Sequence, residues 1–188
     1  RFGLECVRAM RLATGEDYPI FFRIGAWEPT PGGVTLEESI RYCRELEKAG
    51  VDVLDVSLAS EVEAEAGENI VISPGKKAPM GTFAWIAAAI KSEVGIPVMT
   101  EGRINSHKVA EEILREAKAD LVALGRQLIA DPFWPQKVRQ GRFREIVACD
   151  SCNKECWGYV RGGKSGCHKN ARAGKESEVA PPPPPSPA

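Results

Sequence analysis

Residues 19–57 read PIFFRIGAWEPTPGGVTLEESIRYCRELEKAGVDVLDVS, and this stretch decides the fold. It opens on a short apolar run, Pro19 to Ala26, followed by the polar, glycine-rich loop WEPTPGG. Thr35 then stands three residues before Glu38, the spacing of a reciprocal helix cap, and LEESIRYCRELEKAG continues with helical periodicity to Gly50. A second apolar run follows, Val51 to Ala59. An apolar strand, an amphipathic helix and another apolar strand make a βαβ unit, which implies parallel strands joined by a right-handed crossover.

The unit repeats outward from there. A long loop, 60–81, leads to the helix TFAWIAAAIKSEVG and a third strand, Ile96 to Gly102. Ser106 is placed to cap the helix HKVAEEILREAKA, and the fourth strand runs from Ala119 to Gly125. A short RQLIA turn then meets DPFWPQKVRQG, read as a helix with Asp131 as its cap and Pro132 at its first position. Upstream, FGLECVRAMRLAT is a helix, and the chain opens inside it at Arg1 without Met, as a fragment would. The strands are apolar enough to be covered on both faces, but polar residues interrupt their C-terminal ends: Arg23, Ser57, Gly102-Arg103 and Gly125-Arg126. Those ends are the working face of a (β/α)8 barrel. The expected fold is therefore α/β, the C-terminal half of a (β/α)8 TIM barrel with four βα units, carrying a C-terminal cysteine-cluster loop. A doubly wound sheet is the alternative, although no G-x-G-x-x-G follows any strand. Half a barrel leaves strand edges open to a partner: the missing N-terminal half, or another copy in a homo-oligomer.

Cys149, Cys152, Cys156 and Cys167 lie within CDSCNKECWGYVRGGKSGC, spaced C-x2-C-x3-C-x10-C. Four thiolates this close suit one metal centre, an iron–sulfur cluster or a structural zinc held by four sulfurs or by three with His168. Zinc ribbons use two separated C-x2-C pairs, whereas three thiolates packed into eight residues favour a cluster. Cys6 and Cys43 fall in helical patterns and read as small buried or semi-buried residues. The net charge of -1 and the absence of a basic stripe exclude nucleic acid as an expected partner. No apolar run is long enough for a membrane span, and no secretory leader is visible, so a reducing cytoplasmic setting is expected. The end, APPPPPSPA, reads as an extended, solvated tail.

Two Gly-Arg pairs follow consecutive strands, at Gly102-Arg103 and Gly125-Arg126. Glycine lets backbone approach a phosphate and arginine chelates its oxygens, at the loops where such barrels habitually bind phosphate. The plain alternative is a strand end with an arginine paired to a surface carboxylate. Arg23, mid-strand, needs a partner: a flavin edge, or an ion pair with Asp55 or another strand carboxylate.

RFGLECVRAMR, PIFFRIGA, GGVTLEESIRYCRELEKAGVDVLDVS, PVMTEGRINSHKVAEEIL, ADLVALGRQLIADPFWPQKVRQGR and CDSCNKEC together resemble the Old Yellow Enzyme, or NADH:flavin oxidoreductase, family. They are most similar to its iron–sulfur branch, the 2,4-dienoyl-CoA reductase and trimethylamine dehydrogenase type. The resemblance implies FMN at a barrel mouth, with Arg23 on the pyrimidine edge and Gly102, Arg103, Gly125 and Arg126 at the phosphate. It implies a 4Fe–4S cluster on Cys149, Cys152, Cys156 and Cys167, NAD(P)H as electron donor, and a small unsaturated substrate such as an enone or enoyl thioester. The expected organisation is a partial FMN-binding barrel over 1–145, a cluster loop over 146–174 and a disordered proline-rich tail over 175–188. The chain departs from the family in having no histidine in the loop 60–81 and in carrying no counterpart of the active-site tyrosine of the first barrel half. No catalytic residue is assigned. The alternative function is a metal-stapled, non-catalytic half barrel that binds a phosphate ligand or a partner chain.

Overall fold

The computed structural model describes residues 1–58, 62–63, 69–70 and 73–178. Most of the proline-rich tail, and parts of the loop 60–81, lie outside these residues. The chain divides into two compact units, Arg1–Ala123 and Leu124–Ala188. Among the described residues no helix is long and apolar enough to cross a membrane.

The first unit contains helices α1 (Phe2–Thr14), α2 (Leu36–Lys48), α3 (Ala84–Lys91) and α4 (His107–Arg115). Its strands are β1 (Phe21–Gly25), β2 (Val53–Ser57), β5 (Val98–Thr100) and β6 (Leu121–Val122), with a short antiparallel pair, β3 (Val62–Glu63) and β4 (Asn69–Ile70), after β2. The main sheet is wholly parallel and ordered β1-β2-β5-β6, each strand beside the one before it in the chain. A doubly wound sheet reverses its strand order at a switch point; a barrel arc does not. The order thus settles the alternative in favour of four βα units of a (β/α)8 barrel.

α2 forms because both ends of its backbone are satisfied. The Thr35 side chain accepts the Glu38 N–H while the Glu38 carboxylate accepts the Thr35 N–H, the capping box expected from the sequence. At the other end Gly50 adopts φ 99°, which lets Gly50 and Val51 donate to Glu47 and Leu46 carbonyls and stops the helix. α4 ends the same way on Ala117 at φ 54°, where the sequence carried no glycine to announce the stop. Its start is less well served: Ser106 stands at the N-cap position but its side chain makes no cap hydrogen bond.

The sheet is covered on one face. Ile24, Leu54, Val56, Val98 and Thr100 are buried, as are Cys43 and Leu46 of α2 and Ile86, Ala87 and Ile90 of α3. The opposite face carries Phe21, 54% exposed, Arg23, and Leu121, 40% exposed. Coverage of both faces was expected; the second is the inner face of the barrel arc. Arg11 ties α1 to this sheet. Its guanidinium donates to the carbonyls of Gly15 and Tyr18 (2.8 and 2.7 Å), to that of Gly50 and to the Asp52 carboxylate, which also accepts the Ile20 N–H at 2.6 Å.

The second unit opens with α5 (Arg126–Ala130) and α6 (Trp134–Arg139). The expected helix start at Asp131-Pro132 is corrected: α6 begins at Trp134 with Pro135 in its first turn, and RQLIA is itself helical. Asp131 instead links elements. Only 3% exposed, its carboxylate accepts N–H groups of Phe133 (3.2 Å) and Val147 (2.9 Å) and pairs with Lys137 at 2.8 Å.

Two outcomes follow for stability. The Asp52 carboxyl is held below its usual range chiefly by the Ile20 N–H, with Arg11 adding to this against the opposing effect of burial. Its contribution is complete above the unfolded value, about pH 4, and is lost as pH falls through the lower folded value. Asp52→Asn should therefore flatten the acid limb of a stability-versus-pH curve while the neutral-pH protein melts earlier. In the second unit, Asp131→Asn leaves the Lys137 ammonium without its counter-charge and should cost about 3 kcal/mol, read in urea from the fluorescence of buried Trp134.

Candidate functional site

At the C-terminal ends of the strands the parallel register sets polar residues side by side. Arg23 lies opposite Asp55, and Gly25 opposite Ser57. Arg23 donates to Asp55 Oδ2 at 2.7 Å, to Glu101, and to Ser57 Oγ at 3.3 Å; the Ser57 hydroxyl donates to Glu101 in turn. Partial burial alone would lower the guanidinium pKa, but hydrogen bonds and charge from Glu101 and Asp55 outweigh it and raise the pKa above its ordinary value. Arg23 is half-exposed, not buried as its apolar strand suggested, because it stands on the open inner face. Of the two kinds of partner expected for it, the strand carboxylate Asp55 is present, joined by Glu101. Asp55 Oδ1 is buried with no hydrogen-bond partner among the described residues. Glu101 is the member that sequence reasoning missed. Its signal was its place one residue beyond β5, in a TEGR stretch read only for its Gly-Arg.

Gly102 has φ 102°, and a Cβ there would meet the Phe83 ring at 2.7 Å. The close approach it permits is thus to Phe83. Arg103, at φ 55°, donates to the Ala78 carbonyl. Gly125 and Arg126 belong to the second unit, and a Cβ on Gly125 would meet only open space.

Within the second unit the cysteine loop is anchored by buried Gln127, whose side chain donates to the Val147 carbonyl at 3.0 Å and accepts the Cys149 N–H at 2.9 Å. Ser151 and Asn153 then take φ near 55° and 51°, folding C-D-S-C-N back on itself so that the Ser151 N–H reaches Cys149 Sγ at 3.4 Å. Arg126 donates to the Asn153 side-chain oxygen. Further along, Asn170 pairs with Cys167 and donates to the Ile129 carbonyl at 2.8 Å, returning that segment to α5. As a result Cys149, Cys152, Cys156 and Cys167 line one cavity, together with Arg126 and His168. Burial raises the Cys156 thiol pKa, nearby Arg126 lowers it, and Cys149 and Cys152 raise it further. Among the described residues no three of the four sulfurs lie within 4.8 Å of one another. Four thiolates on one zinc ion, with bonds of about 2.3 Å, would stand about 3.8 Å apart.

The fold agrees with what the chain resembles. Residues 1–145 match the model of the NADH:flavin oxidoreductase / NADH oxidase family. The chain is 43% identical over 178 residues to an NADH oxidase of Thermoanaerobacter brockii, covering 94% of this chain and 27% of that protein. The structure of a 2-naphthoyl-CoA reductase with 2-naphthoyl-CoA superposes with a TM-score of 0.82 at 28% identity, over 95% of this chain and 26% of that one. Histamine dehydrogenase from Rhizobium sp. 4-9 superposes with a TM-score of 0.79 at 25% identity, over 94% and 24%. The chain thus spans about a quarter of the length of the relatives it matches. On the family match over most of its length, the chain belongs to the NADH:flavin oxidoreductase / NADH oxidase family.

Proposed function

We propose that the chain serves a flavin-dependent oxidoreductase that passes electrons from NAD(P)H to the activated C=C bond of an unsaturated substrate, such as an enone or enoyl thioester. FMN sits at the barrel mouth in this reading, and a 4Fe–4S cluster is held by Cys149, Cys152, Cys156 and Cys167. The observation that carries it is the cysteine cavity: Cys149, Cys152, Cys156 and Cys167 line one space, and no three of their sulfurs stand within 4.8 Å of one another. A polynuclear centre places several metal ions between its thiolates and suits that spread. When bound, FMN would supply hydride transfer and the cluster single-electron transfer.

The chain's own residues have distinct tasks. Arg23, aimed by Asp55 and Glu101, offers positive charge to the electron-rich edge of the flavin ring, and the pairing keeps its long side chain in one direction. Gly102 and Arg103 in the first unit, and Gly125 and Arg126 in the second, are proposed as phosphate contacts on the family resemblance. The backbone turn at Ser151 directs an N–H at a cysteine sulfur, a contact that stabilises thiolate charge. A polarised double bond as substrate is favoured by the likeness to a reductase solved with an aromatic thioester. The remaining βα units of the barrel are the required partner, and a reducing cytoplasm would keep the thiols free.

Anaerobic reconstitution with iron, sulfide and FMN tests this. Broad visible absorbance with about four irons and four sulfides per chain is expected, and Cys156→Ser should abolish the sulfide content. A colourless protein that takes up stoichiometric zinc in place of iron and sulfide would overturn the reading.

A further inference from the structure

Beside the four-cysteine arrangement lies a tighter group of ligands. Asp150, Cys152 and His168 each offer a ligand atom, and these atoms lie within 4.8 Å of one another. His168 Nε2 is 3.3 Å from Asp150 Oδ2, and Nδ1 is 3.7 Å from Cys152 Sγ. We propose that these three side chains form a mononuclear site for a borderline divalent cation such as zinc, sharing Cys152 with the cysteine quartet, so that its occupancy and cluster occupancy exclude each other.

A tetrahedral ion with bonds of about 2.0–2.3 Å separates its ligand atoms by about 3.3–3.8 Å. The two contacts end on different ring nitrogens, so whichever nitrogen takes the ion has one neighbour already in that range, and the other ligand atoms, within 4.8 Å, close by a shift of about 1 Å. His168 and Asp150 are 42% and 29% exposed, so the shift takes place at the surface. One thiolate and one carboxylate neutralise a divalent charge, and a mixed oxygen, nitrogen and sulfur set suits a borderline ion. Three protein ligands leave a fourth position for water. The backbone turn at Ser151 presents Asp150 and Cys152 together, and the segment that carries Cys167 brings His168 to them. The mononuclear site rests on these three side chains alone; its competition with a cluster rests on the reading above.

The test uses the full chain, isolated anaerobically, freed of metal and titrated with Co2+ as a coloured stand-in. One Co2+ per chain is expected, with charge-transfer absorbance of single-thiolate intensity. His168→Ala and Asp150→Asn should each bind at least about tenfold more weakly, while both still assemble wild-type amounts of iron and sulfide. Charge-transfer intensity of three or four thiolates that His168→Ala leaves unchanged would place the ion on the quartet and overturn the proposal. Failure to bind Co2+ would overturn it equally. A wild-type chain that binds Co2+ through His168 but assembles no iron and sulfide would sink the cluster reading and leave this one standing.

Discussion

A charge drawn away from water must find a partner, and that requirement organises both units. On the inner face of the sheet, the largely buried carboxylates of Asp55 and Glu101 meet the half-exposed Arg23 guanidinium, with Asp55 set opposite Arg23 by the parallel register. In the second unit, the nearly buried Asp131 is held by an ammonium and two backbone N–H groups. The cysteine loop poses the same problem in a different form. Four cysteines line one cavity, and ionisation of Cys156 among them is opposed by burial and by Cys149 and Cys152, with Arg126 as the nearby positive group. A bound metal centre resolves that opposition more completely than one guanidinium.

This division of labour fits redox chemistry with a bound flavin. Helices and strands provide a rigid arc whose outer face is a dry apolar core. The inner face is left polar and open, and its cationic group cannot drift because two carboxylates fix it. Such preorganisation is what an enzyme needs where charge develops on a ring. The unpartnered Asp55 Oδ1 on this face marks a polar atom that the described chain leaves unsatisfied.

Much of the fold was legible because it depends on local signals. The Thr35–Glu38 cap, the Gly50 stop and the strand–helix alternation are written in neighbouring residues and appear as read. Features set by tertiary contacts were not. Ala117 takes a left-handed conformation with no glycine to signal it, and Asp131, expected only as a helix cap, also joins Lys137 of α6 to the Val147 N–H. At the site, the four cysteines that stand close in sequence line one cavity. The partnership of Arg23 with Glu101 spans 78 residues and exists only through strand register. Arg126, read as a phosphate ligand or a surface ion-pair partner, also lines the cysteine cavity, a placement that follows from the fold of α5 and the Asn153 turn.

The central claim is that the cysteine quartet is shaped for several metal ions and not for one. Iron-edge X-ray absorption of the chain reconstituted anaerobically tests it most directly. The account predicts a sulfur shell followed by a distinct iron–iron scattering shell. A first shell of sulfur, or of mixed sulfur, nitrogen and oxygen, with no metal neighbour beyond it would contradict the account.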